Sequence, residues 1–225
     1  RGLGDVYKRQ VCNLKREGLS KATRLTGDTM VDALRTAMPV VQRKQDKVLG
    51  RLGLQPQHYV LVTMHRPSNV DNLSRLREIQ LALRKLARRL RVLFPVHPRT
   101  RARLKKLGTL NSSIKGAITF TGPQGYVEIL CLLKNAGCLL TDSGGMQKES
   151  FLLHVPCITL RSVTEWPETL TGRANQLLFR PEMITQAILK VAFNERLKER
   201  IRGLKNPFGD GYASSKIVHI LQETF

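Results

Sequence analysis

An imidazole beside a guanidinium can hydrogen-bond a phosphate, and a histidine can also pass a proton to a leaving group. His65 and Arg66 are neighbours in the run MHRPSNVD at residues 64–71. A structural histidine next to a surface arginine is the competing reading of that dipeptide. A second run, TDSGGMQKE at residues 141–149, sets Ser143, Gly144 and Gly145 ahead of a helix start. Two glycines let backbone approach a ligand closely, and free N–H groups at a helix N-terminus together with a serine hydroxyl make an anion site. Glu149, one turn into that helix, could accept both hydroxyls of a ribose. Glycines at a strand-to-helix junction also serve as plain turns, and the run is neither a GxGxxG fingerprint nor a Walker A loop. The loop TGPQGY at 121–126 offers amides that could read the edge of a base, or is only a tight turn. The loop RSVTEWPE at 161–168 places charges around the single tryptophan, Trp166. That suits a sugar or nucleotide rim, and a helix start with Pro167 near its N-terminus explains it equally well.

Each of these loops follows an apolar run of strand length. Strands are expected at 58–63 (HYVLVT), 91–96 (RVLFPV), 117–121 (AITFT), 137–141 (GCLLT), 156–160 (PCITL) and 175–179 (NQLLF). Between the first two, Leu73, Leu76, Ile79, Leu83, Leu86 and Leu90 recur at spacings of three and four, which predicts one helix over 72–90. Further helices are expected at 100–107, 126–135, 145–153, 181–194 and 213–222. Strands alternating with helices give an α/β fold with a Rossmann-like parallel sheet. Several strands are apolar without alternation, so helices cover both faces. Ligands of such sheets bind outside the carboxyl ends of the strands, where the four loops lie. The first 45 residues differ in kind: a helix stopped by Gly18, a strand at 23–26, a helix over 28–38 stopped by Pro39, then a charged linker, QRKQDK, at 42–47.

Composition narrows the class. With 225 residues, 41% of them hydrophobic, the chain can bury a core. Its apolar runs are far shorter than the roughly 20 residues that cross a bilayer, so no membrane segment is expected. A net charge of +21 raises nucleic acid as a partner. The densest basic stretch, 84–106, carries ten Lys and Arg and no acid, but Phe94 is its only aromatic residue. Solvated helix faces therefore explain it better than a base-stacking surface. Cys12, Cys131, Cys138 and Cys157 stand singly, without metal-site or redox spacing, and read as small core residues of a cytoplasmic protein. No metal and no cofactor is expected. Residues 1–10, RGLGDVYKRQ, fit no pattern downstream and read as a non-native leader.

The motifs HRPSNVDN, PVHPRT, DSGGMQKES, TEWPET and NPFGDGYAS, in this order, closely resemble the non-hydrolysing UDP-N-acetylglucosamine 2-epimerases. The resemblance runs from about Asn13 to the C-terminus. It implies a GT-B type C-terminal domain at 46–225 that holds UDP, preceded at 11–45 by a remnant of the N-terminal domain and its hinge. The implied reaction interconverts UDP-GlcNAc and UDP-ManNAc by elimination of UDP to a 2-acetamidoglucal and re-addition, for cell-envelope polysaccharide precursors. His65 matches an active-site histidine near the diphosphate, supported by Arg66. Gln124 matches a residue beside the uridine, and Ile129 a position whose backbone meets the uracil. Ser143, Gly144 and Gly145 match the diphosphate loop, and Glu149 the ribose carboxylate. The sequence departs from the pattern in three places. Trp166 replaces an arginine that touches the nucleotide, Ser68 replaces a glutamate, and Lys148 replaces a glutamate, adding positive charge near the diphosphate. The family's catalytic carboxylates belong to the N-terminal domain, so the chain alone is expected to bind UDP weakly and not to epimerise. Formation of UDP-ManNAc by the isolated chain above a His65→Ala control would contradict this. A homodimer is expected of the full-length enzyme. A GT-B glycosyltransferase, a hydrolysing 2-epimerase and, more remotely, a basic nucleic-acid-binding module are the alternatives.

Overall fold

The computed structural model describes residues 6–108 and 118–224. Residues 1–5 of the expected leader and Ala117 of the expected third strand lie outside this range. Six strands, β1 (Tyr59–Thr63), β2 (Arg91–Pro95), β3 (Ile118–Thr121), β4 (Cys138–Thr141), β5 (Cys157–Thr159) and β6 (Asn175–Leu177), form one sheet in the order β3-β2-β1-β4-β5-β6. Every pairing is parallel. The order reverses direction between β1 and β4, the switch point at which such sheets open a crevice for a ligand.

Successive residues of a strand face opposite sides, and both sides here are apolar. Val60, Val62, Val92, Phe94 and Leu140 pack with α4 (Leu73–Ala87) and α8 (Ile184–Ala192) on one face. Tyr59, Leu61, Leu93 and Leu139 pack with α2 (Thr29–Leu52) and α6 (Tyr126–Lys134) on the other. The same side chains explain the absence of alternation in the sequence. The remaining helices are α1 (Val6–Arg16), α3 (Pro67–Val70), α5 (Pro98–Lys106), α7 (Gly144–Leu152), α9 (Glu195–Arg202) and α10 (Ala213–Thr224).

Three expectations for secondary structure fail. Pro39 does not end a helix: α2 runs through it to Leu52. An interior proline costs about 3 kcal/mol, but Leu34, Val41 and Val48, seven residues apart, are buried together with Leu49. The expected linker 42–47 is the solvated face of this helix, and the boundary expected after residue 45 falls inside it. Residues 23–26 form no strand and follow a short 3₁₀ turn, Ser20–Ala22. The helix expected over 181–194 is present as a 3₁₀ turn, Pro181–Met183, that leads into α8, whereas α9 was not expected and follows separately, capped by the Asn194 side chain, which accepts from the Leu197 N–H at 2.9 Å. Its charged sequence hides the buried Leu197 and Ile201. Cys131, Cys138 and Cys157 are buried as expected, whereas Cys12 is exposed.

Most of the ten cations of 84–106 are exposed on α4 and α5 and in the turns that follow them. Arg99 and Arg103 bind the carboxylate of Asp71, and Arg91 donates to the carbonyls of Leu52 and Gly53. No described helix is long and apolar enough to cross a membrane.

Candidate active site

The β1 and β4 strand ends meet on one residue to which no sequence motif assigns a role. Asp142, fully buried, follows β4. Its Oδ1 accepts from the backbone N–H of His65 at 3.1 Å, and its Oδ2 accepts from the N–H of Arg66 at 3.0 Å and from Asn69 Nδ2 at 3.1 Å. The His65 ring Nδ1 stands 3.5 Å from the same carboxyl. Arg66 Nε donates to the Asp142 carbonyl at 2.9 Å. One side chain thus holds both members of the His-Arg pair by their backbone and ties their loop to the glycine turn. Asn69 is itself fixed, donating to the Leu160 carbonyl at 3.0 Å and accepting from Arg75 Nε at 2.9 Å. The one local signal for Asp142 was its place at the end of an apolar strand, directly before Ser-Gly-Gly.

Ser143 is the N-cap residue of α7, and its side chain makes no capping hydrogen bond. A helix leaves its first N–H groups without intrahelical partners; in α7 these are the amides of Gly144, Gly145 and Met146. A Cβ placed on Gly144 would lie 3.9 Å from Arg66 Nη2, which measures how close the guanidinium stands to this turn. The imidazole of His65 is nearly half exposed and faces the ring of His97 at 5.6 Å. His97 Nδ1 accepts from the Arg99 N–H at 3.2 Å and so caps α5. His65, Arg66, Ser143, Gly144 and Gly145 are therefore brought together at the switch point.

Glu149 lies one turn further along α7, buried, with Tyr126 hydrogen-bonded to it across the gap to the start of α6. Burial raises its carboxyl above the ordinary range, opposed by the Tyr126 hydrogen bond and the charge of Lys148. The Tyr126 hydroxyl is pushed up to about 12 by burial and then by Glu149. Gln124, two residues before Tyr126, folds onto its own loop, donating from Nε2 to the Gly122 carbonyl at 2.9 Å. The Ile129 N–H is already used in α6, donating to the Gly125 carbonyl at 2.9 Å, so that amide is not free to meet a base.

Lys148 does not add positive charge to the glycine turn. It is buried, with its Nζ 2.5 Å from Asp28 Oδ2 and 3.9 Å from the centroid of the Trp166 ring. Asp28 is the N-cap of α2, so this pair joins α2 to α7. Beneath it, Gln147 Oε1 accepts from Thr164 Oγ1 at 2.6 Å and from Asn175 Nδ2 at 3.0 Å, which anchors the loop that carries Glu165 and Trp166. Glu165 bridges Arg66 at 3.0 Å and Arg161 at 2.6 Å. The Arg161 hydrogen bond holds its carboxyl down at about 2.

Six parallel strands in this order, covered by helices on both faces, make a Rossmann-like domain of the GT-B type. The family described as UDP-N-acetylglucosamine 2-epimerase matches residues 6–222. The chain belongs to that family. It is 38% identical over 213 residues to the UDP-N-acetylglucosamine 2-epimerase homolog of Methanococcus maripaludis, covering 93% of this chain and 57% of the relative. It is 36% identical over 215 residues to the UDP-2,3-diacetamido-2,3-dideoxy-D-glucuronate 2-epimerase of Pseudomonas aeruginosa, covering 93% of this chain and 56% of that protein. The crystal structure of Methanocaldococcus jannaschii UDP-GlcNAc 2-epimerase in complex with UDP-GlcNAc and UDP superposes with a TM-score of 0.80 at 37% identity, over 94% of this chain and 58% of that one. The chain thus spans a little over half the length of these relatives.

Proposed function

We propose that this chain is the nucleotide-holding part of a UDP-GlcNAc 2-epimerase. The observation that carries the reading is the convergence, on Asp142, of the His65-Arg66 loop and the Ser143-Gly144-Gly145 turn at the sheet's switch point. The uncapped amides of α7 and the Ser143 hydroxyl take the diphosphate, with Arg66 supplying charge. Glu149 accepts the ribose hydroxyls, and the loop of Gln124 and the start of α6, where Ile129 lies, border the base. His65 stands where a proton can be delivered to the diphosphate oxygen as it leaves. In the reaction the C2 proton is removed, the bond from C1 to the diphosphate oxygen breaks, and a C1–C2 double bond forms. Re-addition of UDP with protonation on the other face of C2 completes the inversion. Oriented N–H groups and cations stabilise UDP as it departs and keep it in place for its return. The C2 proton transfers fall to carboxylates of the family's N-terminal domain. A cytoplasmic homodimer belongs to the same reading.

UDP is common to the names of both substrates carried by the relatives above, so this half would serve either sugar. UDP binding to the chain, measured by calorimetry, is therefore the direct test. Glu149→Gln is expected to weaken UDP binding about 10-fold or more, because a charged acceptor of ribose hydroxyls becomes a neutral one. The same variant is expected to melt higher at neutral pH. Burial raises the Glu149 pKa, so ionising it costs folding free energy. That cost is absent below the ordinary carboxylate range and complete above the raised value, so the gain from glutamine vanishes as the pH falls. Unchanged UDP affinity in the variant would remove Glu149 from the ribose site. Incubating a full-length version with UDP-GlcNAc and no acceptor separates the enzyme classes: UDP-ManNAc marks the epimerase, free ManNAc with UDP a hydrolysing relative, and no product a transferase.

A further inference from the structure

Among the described residues, one side-chain donor beside the Gly144 turn has no acceptor. Trp166 Nε1 lies 3.4 Å from the point that a Cβ on Gly144 would occupy, with Glu165 Oε2 at 3.5 Å and Arg66 Nη2 at 3.9 Å from the same point. The indole is rigidly seated. Lys148 Nζ lies 3.9 Å from its centroid, and the ring of Phe208 meets it edge-on at 6.3 Å. Its backbone N–H donates to Thr164 Oγ1 at 3.0 Å, and its carbonyl accepts from Thr169 Oγ1 at 2.6 Å. An indole N–H can only donate, and a tryptophan that is largely buried ordinarily finds it a partner. No hydrogen bond among the described residues uses this one. No fully buried polar side-chain atom among them lacks a partner, so the indole nitrogen sits at the open mouth of the turn and not in the core.

We propose that the Trp166 indole N–H donates to a phosphate oxygen of a nucleotide diphosphate seated on the first turn of α7, as a specificity contact that reads the phosphate and neither the base nor the ribose. This rests on the reading that Ser143, Gly144 and Gly145 take the diphosphate. The contact supplies direction without charge, beside a turn where the Arg66 guanidinium is itself paired with the Glu165 carboxylate. The buried pair of Lys148 and Asp28 acts here as a positioning device: the ammonium under the ring fixes the plane in which the N–H points.

Trp166→Phe tests the contact, because it keeps an aromatic ring for Lys148 and Phe208 and deletes the N–H. The expected result is UDP affinity about 10-fold weaker by calorimetry, the range for a hydrogen bond to a charged acceptor. Uridine binding, followed by ligand-observed NMR, is expected to be unchanged, as is the thermal midpoint. Trp166 is the only tryptophan, so its emission reports the site directly in the parent chain. UDP should change that emission and uridine should not. Parent-like UDP affinity in Trp166→Phe, an equal loss for uridine, or emission unaffected by bound UDP would each overturn the proposal while leaving the nucleotide site in place. Failure of the parent chain to bind UDP at all would overturn both readings.

Discussion

Asp142→Asn is expected to lower the melting temperature by roughly 6–12 °C and to abolish most UDP binding. The buried carboxyl of Asp142 accepts from two backbone N–H groups and the Asn69 amide, and has no solvent to fall back on. Asparagine keeps the shape but turns one acceptor into an NH₂ group that faces donors. Leaving buried donors without acceptors costs about 1–3 kcal/mol each, and a broken buried network about 3 kcal/mol or more. For a chain of this size each kcal/mol shifts the midpoint by about 2–4 °C. The functional loss follows from geometry, since the same bonds hold the His65-Arg66 loop against the glycine turn. Thermal denaturation beside UDP calorimetry checks both parts. A variant that melts like the parent would show that Asp142 does not hold the two loops together, and one that melts lower yet binds UDP normally would make it structural only.

The second large effect concerns Lys148. Lys148→Met is expected to destabilise the fold by about 2–4 kcal/mol, the range for stranding one member of a buried pair, reduced because Asp28 is partly exposed. Asp28 also accepts from the Met30 N–H at 2.9 Å, a cap that Asn can maintain. Asp28→Asn combined with Lys148→Met is therefore expected to cost less than Lys148→Met alone, because no unpaired charge remains. A double-mutant cycle by urea denaturation should return a coupling of about 1–3 kcal/mol. Strict additivity would mean that the two side chains do not stabilise each other, whatever their separation. The cycle matters beyond stability, since the pair links the start of α2 to the helix that carries the glycine turn. The C-terminal loop adds to this link: the Asp28 N–H donates to the Phe208 carbonyl at 3.0 Å, and Asp32 accepts from the N–H groups of Ala213 and Ser214 at 3.0 and 2.7 Å.

The location of much of the candidate site is legible in the sequence. Strands of four to six apolar residues ending in HR or DSGG place those residues at carboxyl edges, where parallel sheets bind ligands, and the structure puts both at the β1 and β4 ends. Other features were illegible for particular reasons. QRKQDK has the composition of a linker and equally of a solvated helix face, and only the buried Val41 and Val48 on either side decide for the helix. Pro39 carries a local penalty that the burial of the same helix outweighs. Lys148 looks, by position, like a charge for the ligand, but its side chain reaches Asp28, 120 residues away in sequence.

By itself, then, the sequence determined the class of fold, the strand ends and the side chains displayed there, because hydrophobic period and strand-end chemistry are local properties of the chain. Only the tertiary structure decided which acid organises the site, where Lys148 places its charge and what the Trp166 indole faces. Those are choices of partner between residues far apart in the chain, and a buried polar group is satisfied by whatever the fold brings within about 3 Å of it.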